Sequence, residues 1–161
     1  MKAVLFAGLM YSQKSVFERV KKMLESEFGE IVKTGEPYEF TFTDYYEREM
    51  GRGLEKRFIV FKKTIDRASL ADIKIFTGLL EKELSVEGKR KINIDPGYLT
   101  RASLVLATTK EVPHRIYLRD GIFGEVALLF DRRGCSHLDW TYPDFKIQKT
   151  CDFFLGVRNG L

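Results

Sequence analysis

Residues 7–17 read AGLMYSQKSVF, and two folds compete for them. Gly8, Lys14 and Ser15 fall where a phosphate-binding loop, G-x-x-x-x-G-K-[ST], places its first glycine, its lysine and its hydroxyl. That match implies a parallel α/β sheet with a nucleotide at the strand–helix junction. Gln13, however, stands where the loop needs its second glycine. The loop turns its amides inward around phosphates, and some of its dihedrals favour glycine. The mechanism also uses an acid after a second parallel strand to help hold magnesium. Asp131, after VALLF, instead ends the second arm of a hairpin. The stretch therefore reads as a strand running into a helix that Ser12 or Ser15 caps, and the chain is not a true P-loop GTPase. The helix N-terminus still offers free amides to an anion.

The flanking pattern sets the rest of the fold. Lys2–Ala7 is a near-continuous apolar run, as in a strand buried on both faces. Val16, Val20, Met23 and Leu24 form one stripe of a helix over 15–28, with Ser15-x-x-Glu18 as a capping box and Gly29 beyond its end. Across Ile31–Thr43, Tyr38, Phe40 and Phe42 alternate with Glu39, Thr41 and Thr43, the period of a half-buried strand. Lys56–Ile65 is the next strand. Leu70, Ile73, Phe76, Leu80 and Leu84 mark a second amphipathic helix over 69–84. Arg90–Asp95 is a strand that Pro96-Gly97 is expected to end. The order β-α-β-β-α-β is that of the ferredoxin-like split unit, an antiparallel sheet with both helices on one face. Three further strands, Leu104–Thr109, His114–Arg119 and Ile122–Phe130, extend it, the last two joined by Asp120-Gly121 as a hairpin. Ile147, Cys151, Phe154 and Leu155 place a helix near the C-terminus. The expected class is α+β with a mostly antiparallel sheet, as one domain over residues 1–161.

Composition narrows the setting. Hydrophobic residues at 44% and charged residues at 31% suit an ordinary globular domain. No apolar run approaches the ~20 residues that cross a bilayer, and no secretory signal opens the chain. No membrane partner and a cytoplasmic location are expected. Cys135 and Cys151 are too few for a disulfide framework and are expected as thiols in a reducing compartment. Cys135-x-His137 with Cys151 lacks the C-x2-C spacing of structural zinc sites. A net charge of +4 permits contact with nucleic acid without requiring it, because most basic residues are interleaved with acids on helix faces. Abundant Lys and Glu beside scarce Asn and Gln is the compositional pattern of hyperthermophiles, so a thermophile is the expected source.

Five ordered stretches stand out: FTFTDYYEREMG (40–51), NIDPGYLT (93–100), LVLATTK (104–110), HRIYLRDGIFGEV (114–126) and WTYPDF (140–145). Together they resemble an uncharacterised family called domain of unknown function 4416, over nearly the whole chain. The resemblance implies no established activity, cofactor or catalytic residue. Some members carry a GTP-binding label, which Gln13 does not support. The resemblance would place Thr-Asn where this chain has Thr77-Gly78.

Candidate chemistry collects on three stretches. In TDYYEREMG (43–51), period two carries the apolar face of Tyr38, Phe40 and Phe42 on to Asp44, and Glu47 follows one helical turn later. Both acids suit a divalent metal or a general base, and Asp44 equally suits a helix cap. In the hairpin, a two-residue loop sets Leu118 opposite Phe123 and Ile116 opposite Glu125, so His114 and Glu125 share a face. A carboxylate beside an imidazole orients it for acid–base work, or forms a structural ion pair. Arg115 then points to the other face, as an anion clamp or as a cover for the sheet. In NIDPGYL (93–99), Asp95 ends a strand before a rigid turn, either as a catalytic acid or as turn chemistry.

Strand direction sorts these residues. In the split unit the first two strands run up and the next two down, which puts Asp44 at the top and Asp95 at the bottom. A fifth strand returning upward brings Thr109 and His114 to the top. One rim then gathers Tyr11, Ser12, Asp44, Glu47, Thr109, His114 and Arg115, with Glu125 orienting His114. Asp95 stands apart as a further ligand-binding candidate. The expectation is an enzyme, with hydrolysis among its reactions, or a binder of a small anionic or phosphorylated ligand. Asp44 and Glu47 would hold a divalent metal. The alternative is an RNA- or protein-binding module in which Tyr45, Tyr46 and Tyr117 stack on bases.

Overall fold

The opening stretch is strand where a phosphate loop would bend. In the computed structural model, which describes residues 1–161, β1 runs unbroken over Lys2–Tyr11, so Gly8 lies inside a ladder. The helix α1 (Lys14–Phe28) follows with Gln13 as its N-cap and no side chain bonded to the cap. Neither Ser12 nor Ser15 caps it, because the helix begins one residue earlier than expected and Ser15 falls within its first turn.

The remaining strands are β2 (Ile31–Thr34), β3 (Tyr38–Glu39), β4 (Glu55–Asp66), β5 (Ile92–Leu99), β6 (Ser103–Thr108), β7 (Ile116–Arg119), β8 (Ile122–Asp131) and β9 (Gly134–His137). The sheet order is β2-β4-β1-β5-β6-β8-β7, with β3 also on β4 and β9 also on β8. Every pair is antiparallel. The first four places, with α1 and α3 (Leu70–Glu83) as crossovers, are the ferredoxin-like order expected from the sequence. The single strand expected over Ile31–Thr43 is two short pieces, with Gly35 and Pro37 in the break.

Period-two alternation divides the core between the two faces of the sheet. Leu5, Ala7, Leu9 and Tyr11 of β1 pack with Phe17, Val20 and Leu24 of α1 and with Ile73 and Leu80 of α3. Val4 and Phe6 face the other way and meet Phe58, Val60, Leu104, Leu106, Phe145 and Phe154. Phe154 belongs to the C-terminal helix α4 (Gln148–Arg158). The sheet is thus covered by α1 and α3 on one side and by α4 with the segment before it on the other. β1 is buried on both faces, as its apolar run requires. No helix is long and apolar enough to cross a membrane.

Pro96-Gly97 does not end β5. The strand continues to Leu99 and pairs with β1 from Val4↔Leu99 to Tyr11↔Ile92. Gly97 is demanded by packing, since a Cβ there would lie 2.6 Å from the Phe6 ring and closer still to the Val105 carbonyl.

The cysteines are also placed differently from expectation. Cys135 on β9 and Cys151 on α4 are joined in a disulfide, with Cα atoms 6.0 Å apart. With no free thiol left, the cysteines no longer point to a reducing compartment. Closing a loop of this length stabilises a fold by roughly 3 kcal/mol through the unfolded chain. Cys135→Ser, or the wild type under reductant, should therefore lose about 2–4 kcal/mol in urea melts. Coincident melts with and without reductant would show that the bond contributes nothing.

Candidate functional site

A cavity of about 300 Å³ opens where β5 and β6 part. The two strands pair only at Gly97↔Leu106, Tyr98↔Val105 and Leu99↔Leu104. The next position would set Pro96 against Ala107. The amide of Ile94 donates to Glu81 Oε2 (2.8 Å), and its carbonyl accepts from Lys74 Nζ (3.1 Å). Both therefore point away from β1. By the alternation of a ladder, Pro96 faces the same way, and it has no N–H to give to β6. The ladder stops there. Lys74 and Glu81 of α3 satisfy the backbone that β6 has left.

The same residues anchor a connected polar network along one side of the cavity. Lys74 Nζ reaches Asp95 Oδ1 at 3.3 Å, and Asn93 Nδ2 donates to Asp95 Oδ2 at 2.8 Å. Arg90 donates to Asn93 Oδ1 (2.9 Å) and makes a two-bond fork with Glu49, at 2.7 and 3.0 Å. Glu49 lies in the short helix α2 (Glu47–Met50). Burial works against ionisation of Asp95, but Lys74 and Lys56 outweigh it and hold the carboxyl below its ordinary value. Hydrogen bonds from Arg90 likewise lower Glu49. Burial raises Glu81, against the pull of Lys74.

Across the cavity, Lys56 Nζ bonds Asp144 Oδ2 at 2.6 Å, and both side chains are buried. Tyr38 donates to the same oxygen at 2.8 Å, and Thr150 donates to the Asp144 carbonyl at 2.8 Å. Lys56 lies within 5.2–5.6 Å of the Phe40, Phe58 and Phe145 ring centres, close enough for cation–π attraction. Gly8 makes room for this lysine, because a Cβ there would sit 2.9 Å from Lys56 Cε. The glycine that suggested a phosphate loop serves a buried ion pair.

The third group centres on Glu125, which is 2% exposed and lines the cavity. Its Oε2 accepts from Arg115 Nε at 2.6 Å and lies 3.0 Å from His114 Nε2. Its Oε1 is buried with no hydrogen-bond partner. Arg115 is spent on structure, donating also to the Lys110 carbonyl and the Tyr142 hydroxyl, each at 2.8 Å. His114 stacks on Trp140, with ring centres 4.9 Å apart and planes at 12°.

The candidate residues therefore regroup. Glu125, Asp95 and Thr109 line the cavity together; Asp95 was expected at the far pole. It lies mid-strand opposite Gly8, and only the assumption that Pro96 ended the strand had put it at the bottom. His114 and Arg115 were expected on opposite faces, yet both reach Glu125 Oε2. They precede β7, which begins at Ile116, so strand alternation does not govern them. The hairpin turn forms as expected, with positive φ at Asp120 and Gly121. A bulge at Leu118 then shifts the register, so Tyr117, not Leu118, opposes Phe123 and Ile116 opposes Gly124.

Tyr11 and Ser12 do not join the cavity. Tyr11 is 2% exposed, with its ring tilted against Phe17 at 4.9 Å and its hydroxyl bonded to Glu55 at 3.3 Å. Burial, then Glu55, pushes its hydroxyl up to about 12. Ser12 is exposed at the turn before α1. Asp44 and Glu47 are exposed as well, in a separate shallow groove with Glu39 and Glu55. No group of three His, Cys, Asp or Glu side chains is arranged to hold a metal. Tyr45 and Tyr46 line the cavity, while Tyr117 sits on the exposed edge strand β7.

Sequence reasoning missed Lys56, Lys74, Glu81 and Asp144. Three of them carried a signal. Lys56 shares its strand face with Phe58 and Val60, and Lys74 and Glu81 lie within the buried stripe of α3, beside Ile73, Thr77 and Leu80. A charge on an apolar face must be paired or must serve a site. Asp144 lay inside the WTYPDF motif without a periodicity to give it direction.

The chain matches the model of the family described as Domain of unknown function (DUF4416) over residues 1–160 and belongs to that family. No curated protein and no solved structure matches it.

Breaking a buried pair by removing one partner costs about 3–5 kcal/mol. Asp144→Ala should destabilise the protein by that amount in urea unfolding. Gly8→Ala should cost about 1–3 kcal/mol through crowding of Lys56 and Phe58. If Gly8→Ala unfolds at the wild-type midpoint, the close approach of Lys56 is not real.

Proposed function

We propose that this protein binds, as an enzyme or a carrier, a small polar ligand in the cavity between β5 and β6. The observation that carries the reading is Glu125 Oε1, a buried oxygen on a cavity-lining residue that no protein donor satisfies. A buried carboxylate oxygen without a donor is costly to leave unmade. A ligand hydroxyl or amine would supply the missing bond. The anionic character expected of the ligand rests on one residue. Lys56, Lys74 and Arg90 are all engaged by carboxylates, whereas Lys110 at the cavity lies over the Tyr45 ring at 4.8 Å and pairs with no acid. The best-fitting ligand thus combines a hydroxyl or amine with a single anionic group.

The roles within the hairpin are reversed from the sequence reading. Glu125 is the group that meets the ligand, and His114 and Arg115 behind it are positioning residues. The shared oxygen Oε2 fixes the carboxylate, and Oε1, enclosed in the wall, meets a ligand once a neighbouring side chain shifts. Any acid–base chemistry would run through Glu125.

Calorimetric titration with glucose 6-phosphate, ribose 5-phosphate, malate and glutamate tests the reading. At least one should bind saturably to the wild type. Glu125→Gln should keep the fold, because the amide oxygen can still accept from Arg115 and His114. It then turns an N–H₂ where the ligand needs an acceptor, and binding should fall at least about tenfold, the scale of one hydrogen bond to a charged group. Asp44→Asn should leave affinity within about twofold, since exposed substitutions away from a site act weakly. Equal binding by Glu125→Gln, or loss of binding in Asp44→Asn alone, would move the site elsewhere.

A further inference from the structure

Gly78 lies in the middle of α3, where glycine is the poorest choice after proline. Nothing in the fold asks for it. Its φ is not positive, and a Cβ built on it would meet no atom within 4 Å. What it does border is the cavity. Lys74 stands one turn before it and Glu81 one turn after it on the same helix face. The contacts of Glu81 all run through Oε2, from the Ile94 amide at 2.8 Å and the Arg90 guanidinium at 3.6 Å. Glu81 is 8% exposed, and its other oxygen accepts no hydrogen bond.

The cavity is therefore lined by two carboxylates with one oxygen free of protein donors, Glu125 with Oε1 buried and Glu81 with its second oxygen in reach of solvent. Cations already stand beside both: Arg115 pairs with Glu125, and Glu81 shares Arg90 with Glu49 and the pull of Lys74 with Asp95. One oxygen of each has no hydrogen-bond donor from the protein. Hydroxyl groups supply donors without adding charge. Resting on the small-molecule reading above, we propose that Gly78 is a specificity-determining residue whose missing side chain keeps space for a polyhydroxylated ligand. Glu125 and Glu81 each accept from a hydroxyl, and the anionic group meets Lys110. The chemical class is a sugar phosphate.

Titration with glucose 6-phosphate, ribose 5-phosphate and propyl phosphate, alongside thermal melts, tests this. The wild type should bind a sugar phosphate at least tenfold more tightly than propyl phosphate, which has no hydroxyl. Gly78→Leu should fill the space and weaken sugar-phosphate binding at least tenfold while melting no lower than wild type. Gly78→Ala should melt about 2–4 °C higher, because the helix gains and the fold loses nothing. A Gly78→Ala variant that melts lower would show that the fold needs the glycine, and it would overturn the proposal. So would unchanged sugar-phosphate binding in Gly78→Leu. Binding of malate or glutamate without binding of either sugar phosphate would overturn the proposal and leave the small-molecule reading standing. A wild type that binds none of these compounds would sink both.

Discussion

The amide that Pro96 lacks shapes everything around the cavity. A nine-stranded antiparallel sheet would ordinarily close its ladders from end to end. Here β5 keeps all of its pairing with β1 but only three residue pairs with β6. Beyond them the backbone of Ile94 would be left without partners inside the protein, a cost that folds do not leave standing. Two long charged side chains from α3 take the place of the missing strand. They reach into the parting from the helix side and bring an ammonium and a carboxylate to the floor of a cavity that opens on the other side. A break in one ladder thus creates the opening and supplies its polar lining.

Charge compensation follows from that choice. Four ion pairs in the region join different elements: Lys74 with Asp95, Arg90 with Glu49, Lys56 with Asp144, Arg115 with Glu125. These pairs tie α3 to β5, the segment before β5 to α2, β4 to the segment before α4, and the β6–β7 connection to β8. Desolvation makes such pairs weak sources of net stability, but it makes errors in their placement expensive. They hold the cavity walls in one arrangement, a precondition for recognising one ligand. Glu125 and Glu81 each keep one oxygen that accepts nothing from the protein, and both residues line the same cavity.

The fold was largely legible because its signals are periodic. Apolar stripes at helical and strand spacing gave both crossover helices and the split-unit order, and Asp120-Gly121 gave the hairpin. The site was less legible because it depends on departures from periodicity. Pro96-Gly97 reads locally as a turn, yet β1 holds it extended, and this moved Asp95 from one pole into the cavity. His114 and Arg115 lie just before their strand, where alternation has no authority, and the bulge at Leu118 displaces the pairing of Ile116 and Tyr117 by one residue. Asp44 followed a true alternation that ends before reaching it: Tyr38 and Phe40 are half-buried, while Phe42 is already exposed. Glu125 was found through its pairing with His114, which the fold does bring to 3.0 Å.

Amide hydrogen exchange at Ile94 tests the central claim most directly. In the wild type this amide should be strongly protected by its bond to Glu81, like the paired amide of Tyr98. In Glu81→Ala it should exchange far faster while Tyr98 stays protected, because no strand is there to take over. If Ile94 keeps its protection when Glu81 is removed, β5 and β6 are zipped past Pro96, and the cavity does not arise from their parting.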